Sequence, residues 1–447
     1  MDSLIKSTQN PDSMSSDSRI ELADTAIFDD EGVIDAVALF SYGVRKGCSD
    51  IHMIPGAPPK IRVNGELYPV EGARVLTSAD TDDIREQTMS AADLGIFMRK
   101  GYEHYYSYHI PGVGQFRIVI ALSMGGVVLV ARKLVETPPS FDTLGTLPAI
   151  RDLANLHSGL VLFSGITGSG KSTLMSAIVN EINHTRGVNI ISIEGPVEII
   201  HKSAKGNVIQ RNVGSDVETY ADGVRDAMKQ DPDVLIIGET VDTATAAACL
   251  SAAETGHLVF STVHALSTSA SITRMLDLFP QVEQRGVRNR LAEVLKAIVT
   301  QKLVRSTDEE GSLVAVNEIL LNTPEFQQAI ESEASNSELH ALLKKSRGTG
   351  MQTMEDHFAE LVREGVVSPQ IALAQALDKT DMQQQLEELH LDADTPKPPE
   401  ETVPFSQRVA LQDEATGKPG NTSGSALILP EPPKAPKRPQ VYIPRKR

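Results

Sequence analysis

The sequence predicts an α/β protein in two parts: a small α+β unit, then a larger one built on a parallel sheet covered by helices. Three observations carry this reading. Before residue 137 the apolar pattern is strand-like and punctuated by turn pairs. After Thr137-Pro138-Pro139, short apolar runs alternate with helical segments, the pattern of a parallel sheet buried on both faces. A glycine-rich loop joins one of those runs to a helix.

Residues 1–28 are rich in Ser and Asp and aperiodic, which predicts a disordered leader. A first unit over 29–137 starts with a helix after Asp29 and Asp30, with Ile34, Val37, Ala38, Ser41 and Val44 on one face. Strands follow through Ile51, Met53, Ile61, Val63 and Leu67, with turns at Pro55-Gly56 and Asn64-Gly65. Tyr105 to Val119, around Pro111-Gly112, and Val127 to Ala131 continue the strand pattern. The second unit, 138–380, has its buried strands at Leu160 to Phe163, Val188 to Ile193, Val234 to Ile237 and Leu258 to Phe260. Leu291 to Val304 and Ile371 to Leu377 read as helices. From 381 to 447 a Gln/Glu-rich helix leads into a proline-rich, basic-ended tail expected to be disordered.

Gly165-Ile166-Thr167-Gly168-Ser169-Gly170-Lys171-Ser172 fits GxxxxGK[ST], preceded by a strand and followed by a helix, the context the motif needs. The glycines let successive N–H groups turn inward around a phosphate chain, and the helix N-terminus adds its positive end. Lys171 would reach the β and γ phosphates of a nucleotide, and the Ser172 hydroxyl would ligate Mg²⁺. Strand Val234 to Ile237 ends in Gly238-Glu239, which aims a carboxylate into the crevice where such sheets bind ligands. The strand over Ile190 to Ile193 ends the same way in Glu194. His257 and His264 flank a third strand. They either sense the γ phosphate or serve structure.

Composition excludes other classes. A formal net charge of -17 would repel nucleic acid, and no basic, aromatic-lined stretch offsets it. Two cysteines, Cys48 and Cys249, are too few for a four-ligand zinc site. No signal-peptide core or membrane-spanning run is present, so a cytoplasmic protein is expected, with peripheral membrane contact at most.

With these segments in order, the chain resembles the PilT-like branch of secretion and pilus ATPases over roughly residues 30–380. Cys48-Ser49-Asp50-Ile51-His52-Met53 and Pro111-Gly112-Val113-Gly114-Gln115-Phe116-Arg117 look like its N-terminal domain, and Gly165 to Thr173 like its Walker A loop. Ile191-Ser192-Ile193-Glu194-Gly195-Pro196-Val197-Glu198 is similar to its aspartate box, Gln230 through Glu239 to its Walker B segment, and Ala253 through His264 to its histidine box. The resemblance implies a PAS-like domain joined to a RecA-like P-loop ATPase domain, assembled as a homo-hexamer that hydrolyses Mg-ATP. It implies Glu239 as catalytic base, Glu194 as an assisting carboxylate and His264 as the histidine-box residue. Arg117 and Arg132 would be arginines sent to the nucleotide.

Three positions depart from the family pattern: Gly195 for an aspartate, Val241 for an arginine and Gln115 for an arginine. They point towards the DotB-like and plasmid TraJ-like ATPases of type IVB secretion and conjugative transfer, acting with an inner-membrane platform protein. Direct nucleic-acid binding is not expected. The alternative within the class is a type IV pilus retraction motor. A nucleic-acid motor and an inactive nucleotide-binding scaffold stand further off.

Overall fold

The computed structural model describes residues 27–29, 32–63, 65–124, 126–308 and 312–389. The expected disorder of most of the leader and of the proline-rich tail lies outside the described residues. The chain divides into two compact units between Glu136 and Thr137.

The first unit holds a six-stranded antiparallel sheet in the order β3-β2-β1-β6-β5-β4. Its strands are β1 (Asp50–Met53), β2 (Lys60–Val63), β3 (Glu66–Pro69), β4 (Glu103–Ile110), β5 (Gly114–Ser123) and β6 (Gly126–Lys133). Along β5 burial alternates residue by residue, the period of a sheet with one covered face. Phe116, Ile118 and Ile120 point into a core shared with Leu39, Phe40, Ile51 and Leu129. The β4–β5 turn places Gly112 at φ +76°, a conformation glycine reaches without strain.

The helix expected after Asp30 begins later, at Ala36, capped by the Asp35 carboxylate. Asp29 instead closes a turn by accepting from the Val33 N–H at 2.7 Å, and Phe28 bridges to Ile34. Phe28 also lies under the Arg74 guanidinium, so the fold starts slightly inside the segment read as leader.

The second unit carries a seven-stranded sheet, order β13-β12-β7-β11-β10-β8-β9. Its strands are β7 (Gly159–Ser164), β8 (Asn189–Glu194), β9 (Asn207–Asn212), β10 (Val234–Ile237), β11 (Leu258–Val263), β12 (Leu295–Arg305) and β13 (Leu313–Leu321). Strands β7, β10 and β11 are buried along their whole length. Alternate side chains feed two cores. Leu160, Leu162, Ile191, Leu235 and Val259 face one, and Val161, Phe163, Ile190, Ile236 and Phe260 face the other.

Two departures from expectation concern this sheet. Leu291 to Val304 is not one helix: helix Gln281–Val294 ends and β12 begins at Leu295. Strand β12 pairs parallel to β7 and antiparallel to β13, so the sheet is mixed at this edge. The run Ala297-Ile298-Val299-Thr300 is rich in β-branched residues buried between neighbours, and tertiary pairing decides its state. A boundary at 381 also fails, because it falls inside helix Lys379–Glu388. Met382 and Leu386 of that helix pack into a C-terminal core with Val304, Val316 and Phe358.

Candidate active site

All the parallel strands end at one edge of the sheet, where such folds bind ligands. Beyond that edge is a cleft of about 610 Å³ lined by Lys171, Ser172, Glu194, Glu239 and His264, among others.

The glycine-rich loop leaves β7 and opens helix Lys171–Thr185. Gly165, Gly168 and Gly170 all have positive φ, at +139°, +80° and +85°, so the loop's shape demands glycine at each. No side chain caps the helix start. Its uncapped N–H groups and the helix dipole form a ready anion site. The Lys171 ammonium donates to the Gly165 and Ile166 carbonyls at 2.9 and 3.0 Å. Burial pulls its pKa below the usual lysine value, while the charge of Glu239 works the other way.

Two contacts from β12 hold the loop in place. The Gln301 amide donates to the Ser169 carbonyl at 2.8 Å, and the Thr300 hydroxyl meets that of Ser164 at 2.6 Å. Neither residue was singled out from the sequence, because their segment carries the period ambiguity that hid the strand.

Glu239 leaves β10 through Gly238, whose carbonyl accepts from the Thr262 hydroxyl of β11 at 2.7 Å. Its carboxylate meets His264 Nε2 at 2.7 Å, with both side chains partly open to the cleft. The two histidines thus separate: His264 faces the cleft, while His257 Nδ1 approaches the Ala252 carbonyl at a helix end.

Glu194, at the end of β8, is deeper. It accepts from the Ser192 hydroxyl at 2.5 Å and the Gln210 amide at 3.1 Å. Burial raises its pKa, and the two hydrogen bonds offset only part of that. Gln210 sits on β9, a strand the sequence pattern did not reveal because it is polar and only partly buried.

Arg117 and Arg132 belong to the first unit and are cross-strand partners on β5 and β6. Arg132 Nε donates to Asp50 at 2.7 Å. Burial raises the Asp50 pKa, but hydrogen bonds from Arg132 and Ser49 outweigh it and hold the carboxyl below its ordinary value. Cys48 and Cys249 are both free and buried. Burial pushes each thiol up to about 11, which leaves neither in the reactive thiolate form.

The family model described as type II/IV secretion system protein matches residues 122–389, more than half of the chain. The chain belongs to the type II/IV secretion system protein family. The type IV pilus retraction ATPase PilT of Pseudomonas aeruginosa is 33% identical over 352 residues, covering 77% of this chain and 98% of its own length. The crystal structure of the pilus retraction motor PilT with bound ADP matches with a TM-score of 0.72 at 31% identity, covering 78% of this chain and 98% of that one. The ATPase DotB of Legionella pneumophila shares the fold, with a TM-score of 0.68 at 24% identity over 77% of this chain and 97% of its own. Membership makes the chain an ATP-hydrolysing enzyme with a RecA-like α/β domain.

Proposed function

We propose that this family member is a ring-forming ATPase motor of the pilus-retraction kind. The observation that carries it is the near full-length match to a retraction ATPase, combined with a cleft that brings Lys171, Ser172, Glu194, Glu239 and His264 together. The preference for a type IVB secretion or conjugation motor rests on Gly195, Val241 and Gln115 alone. The relatives favour retraction over it. That second reading keeps the same chemistry and differs in the machine driven.

ATP would lie along the glycine-rich loop, its phosphates on the helix N-terminus and against Lys171. The donor set suits magnesium, which takes hard oxygen ligands and keeps several waters. Among the described residues no cluster of three or more His, Cys, Asp or Glu side chains would hold a metal alone. Ser172 and the nucleotide phosphates would therefore share it with water, and the ion would neutralise phosphate charge. Glu239, partly open and beside the loop, would orient and deprotonate the attacking water. His264 would fix the Glu239 carboxylate. Glu194 would support the opposite wall. Arg117 and Arg132 would stabilise transition-state charge from the first unit, coupling hydrolysis to movement. Six copies would form the ring, docked peripherally on an inner-membrane platform protein. Among the described residues no helix is long and apolar enough to cross a membrane.

The test is a count of surface pili on cells whose only copy carries Glu239→Gln, scored beside delivery of a secreted or conjugated substrate. Excess pili with delivery intact supports retraction. Normal pili with delivery lost overturns it in favour of a secretion channel.

A further inference from the structure

The departure at Gly195 has a structural counterpart in Tyr220. This residue opens helix Tyr220–Ala227, whose cap Thr219 accepts from the Asp222 N–H. The ring is therefore held on a capped first turn, half-buried against the sheet core. It lines the cleft together with Glu194 and Glu239.

Its position is set by two glycines. A Cβ built on Gly195 would land on the Tyr220 hydroxyl, with the ring Cζ 3.1 Å away. A Cβ built on Gly238 would sit 3.5 Å from the other ring edge, at Cε1, and 3.3 Å from the Glu194 Cα. Gly195 immediately follows Glu194, and Gly238 immediately precedes Glu239. The phenol thus lies across the gap between the two carboxylate-bearing strand ends. It occupies space that any side chain at 195 would enter.

We propose that the Tyr220 hydroxyl is a positioning group for hydrolysis, hydrogen-bonding the attacking water beside Glu239 from the place a side chain at residue 195 would take. The exchange has a chemical sense. A carboxylate at 195 would only accept hydrogen bonds and would add a further negative charge to a cleft already lined by Glu194, Glu198 and Glu239. A phenol both donates and accepts, and is neutral. A donor held there can fix a water whose proton goes to Glu239, without adding to the negative charge of the cleft. The proposal rests on Glu239 being the group that orients the water.

The experiment is steady-state ATP hydrolysis by the full chain carrying Tyr220→Phe, Gly195→Asp or both, with Glu239→Gln alongside. Tyr220→Phe keeps the ring between the glycines, so the melting temperature should hold. The expected result is a fall in kcat of about tenfold with KM for ATP within about twofold, the mark of an interaction made in the transition state. Gly195→Asp must displace the hydroxyl, so it should cost at least as much alone and little more in the Tyr220→Phe background. A second readout does not depend on turnover. The chain has eight tyrosines and no tryptophan, so tyrosine emission is unmasked, and Tyr220→Phe should remove most of its change on ADP binding.

A Tyr220→Phe kcat within twofold of wild type overturns the proposal. So does a loss matched by a lower melting temperature, or fully additive effects of the two substitutions. Full turnover by Glu239→Gln removes the base assignment and this proposal together. An inactive Glu239→Gln with a full-rate Tyr220→Phe removes only this proposal.

Discussion

Glu194 and Glu239 end adjacent parallel strands of one sheet, one residue apart in register: Ile193 pairs with Ile237, and Gly238 intervenes before Glu239. Their surroundings differ. Glu194 is half-buried, accepts from two neutral donors, Ser192 and Gln210, and is shifted upward by burial. Glu239 is partly open and touches a histidine. Burial with neutral partners disfavours the charge that a base needs. The single glycine between β10 and Glu239 carries that residue one position further out, into the cleft lining. Similar sequence positions therefore give two carboxylates in different surroundings, which suits the supporting role proposed for Glu194 and the base role proposed for Glu239.

The largest expected effect follows from this difference. Glu239→Gln should bind ATP yet hydrolyse it at least about a hundredfold more slowly, as loss of a general base does. Glu194→Gln, which preserves shape and hydrogen-bonding capacity, should cost less than about tenfold. Equal losses in a single-turnover assay would erase the distinction between the two residues.

Glu194→Ala separates support from charge. It strips the partner from Ser192 and Gln210, so it should lower stability by about 1–3 kcal/mol in urea titration and hydrolyse more slowly than Glu194→Gln. Comparable stability and rate for the two variants would mean that the enclosure does nothing for the site.

A third effect, seen only on acidification, is a pH dependence on the Glu194 side. His201 donates its backbone N–H to the Gln210 side-chain Oε1 at 2.8 Å, and burial, aided by His184, lowers its pKa to about 4. The unfolded chain takes up that proton first, near pH 6.5, so stability is full above 6.5 and falls as pH drops towards 4. The loss from this group should be at most about 3 kcal/mol. His201→Gln should flatten the slope in unfolding measured from pH 7 to 4.5. An unchanged slope would place the acid sensitivity elsewhere, with His357, also lowered to about 4 by burial, the next candidate.

What the sequence disclosed follows the same physics. The glycine-rich loop was legible because three positions require positive φ and one requires a lysine, so the chemistry is written in consecutive residues. Glu239 was legible because it follows a short, wholly apolar run, and Glu194 because it ends a run of isoleucines broken only by Ser192. The helix-covered parallel sheet emerged from those runs alternating with helices, and its RecA-like class from the family resemblance. Gln301 and Thr300 were hidden because β12 mixes apolar and polar residues in a long run that reads equally as a helix until β7 and β13 are beside it. Gln210 and β9 were hidden for the opposite reason: an edge strand with polar residues has no apolar signature. Tyr220 was invisible because its meaning lies in two distant glycines. Contacts made along the chain can be read from it, and contacts across strands only where hydrophobicity marks the strand.

The two sealed thiols have a practical consequence. With Cys48 and Cys249 enclosed and held as unreactive –SH groups, a cysteine introduced at an exposed position such as Met98 or Val282 would be the sole site open to maleimide chemistry. The wild-type background therefore suits fluorophore or spin-label pairs that follow the catalytic cycle, with no native residue first replaced.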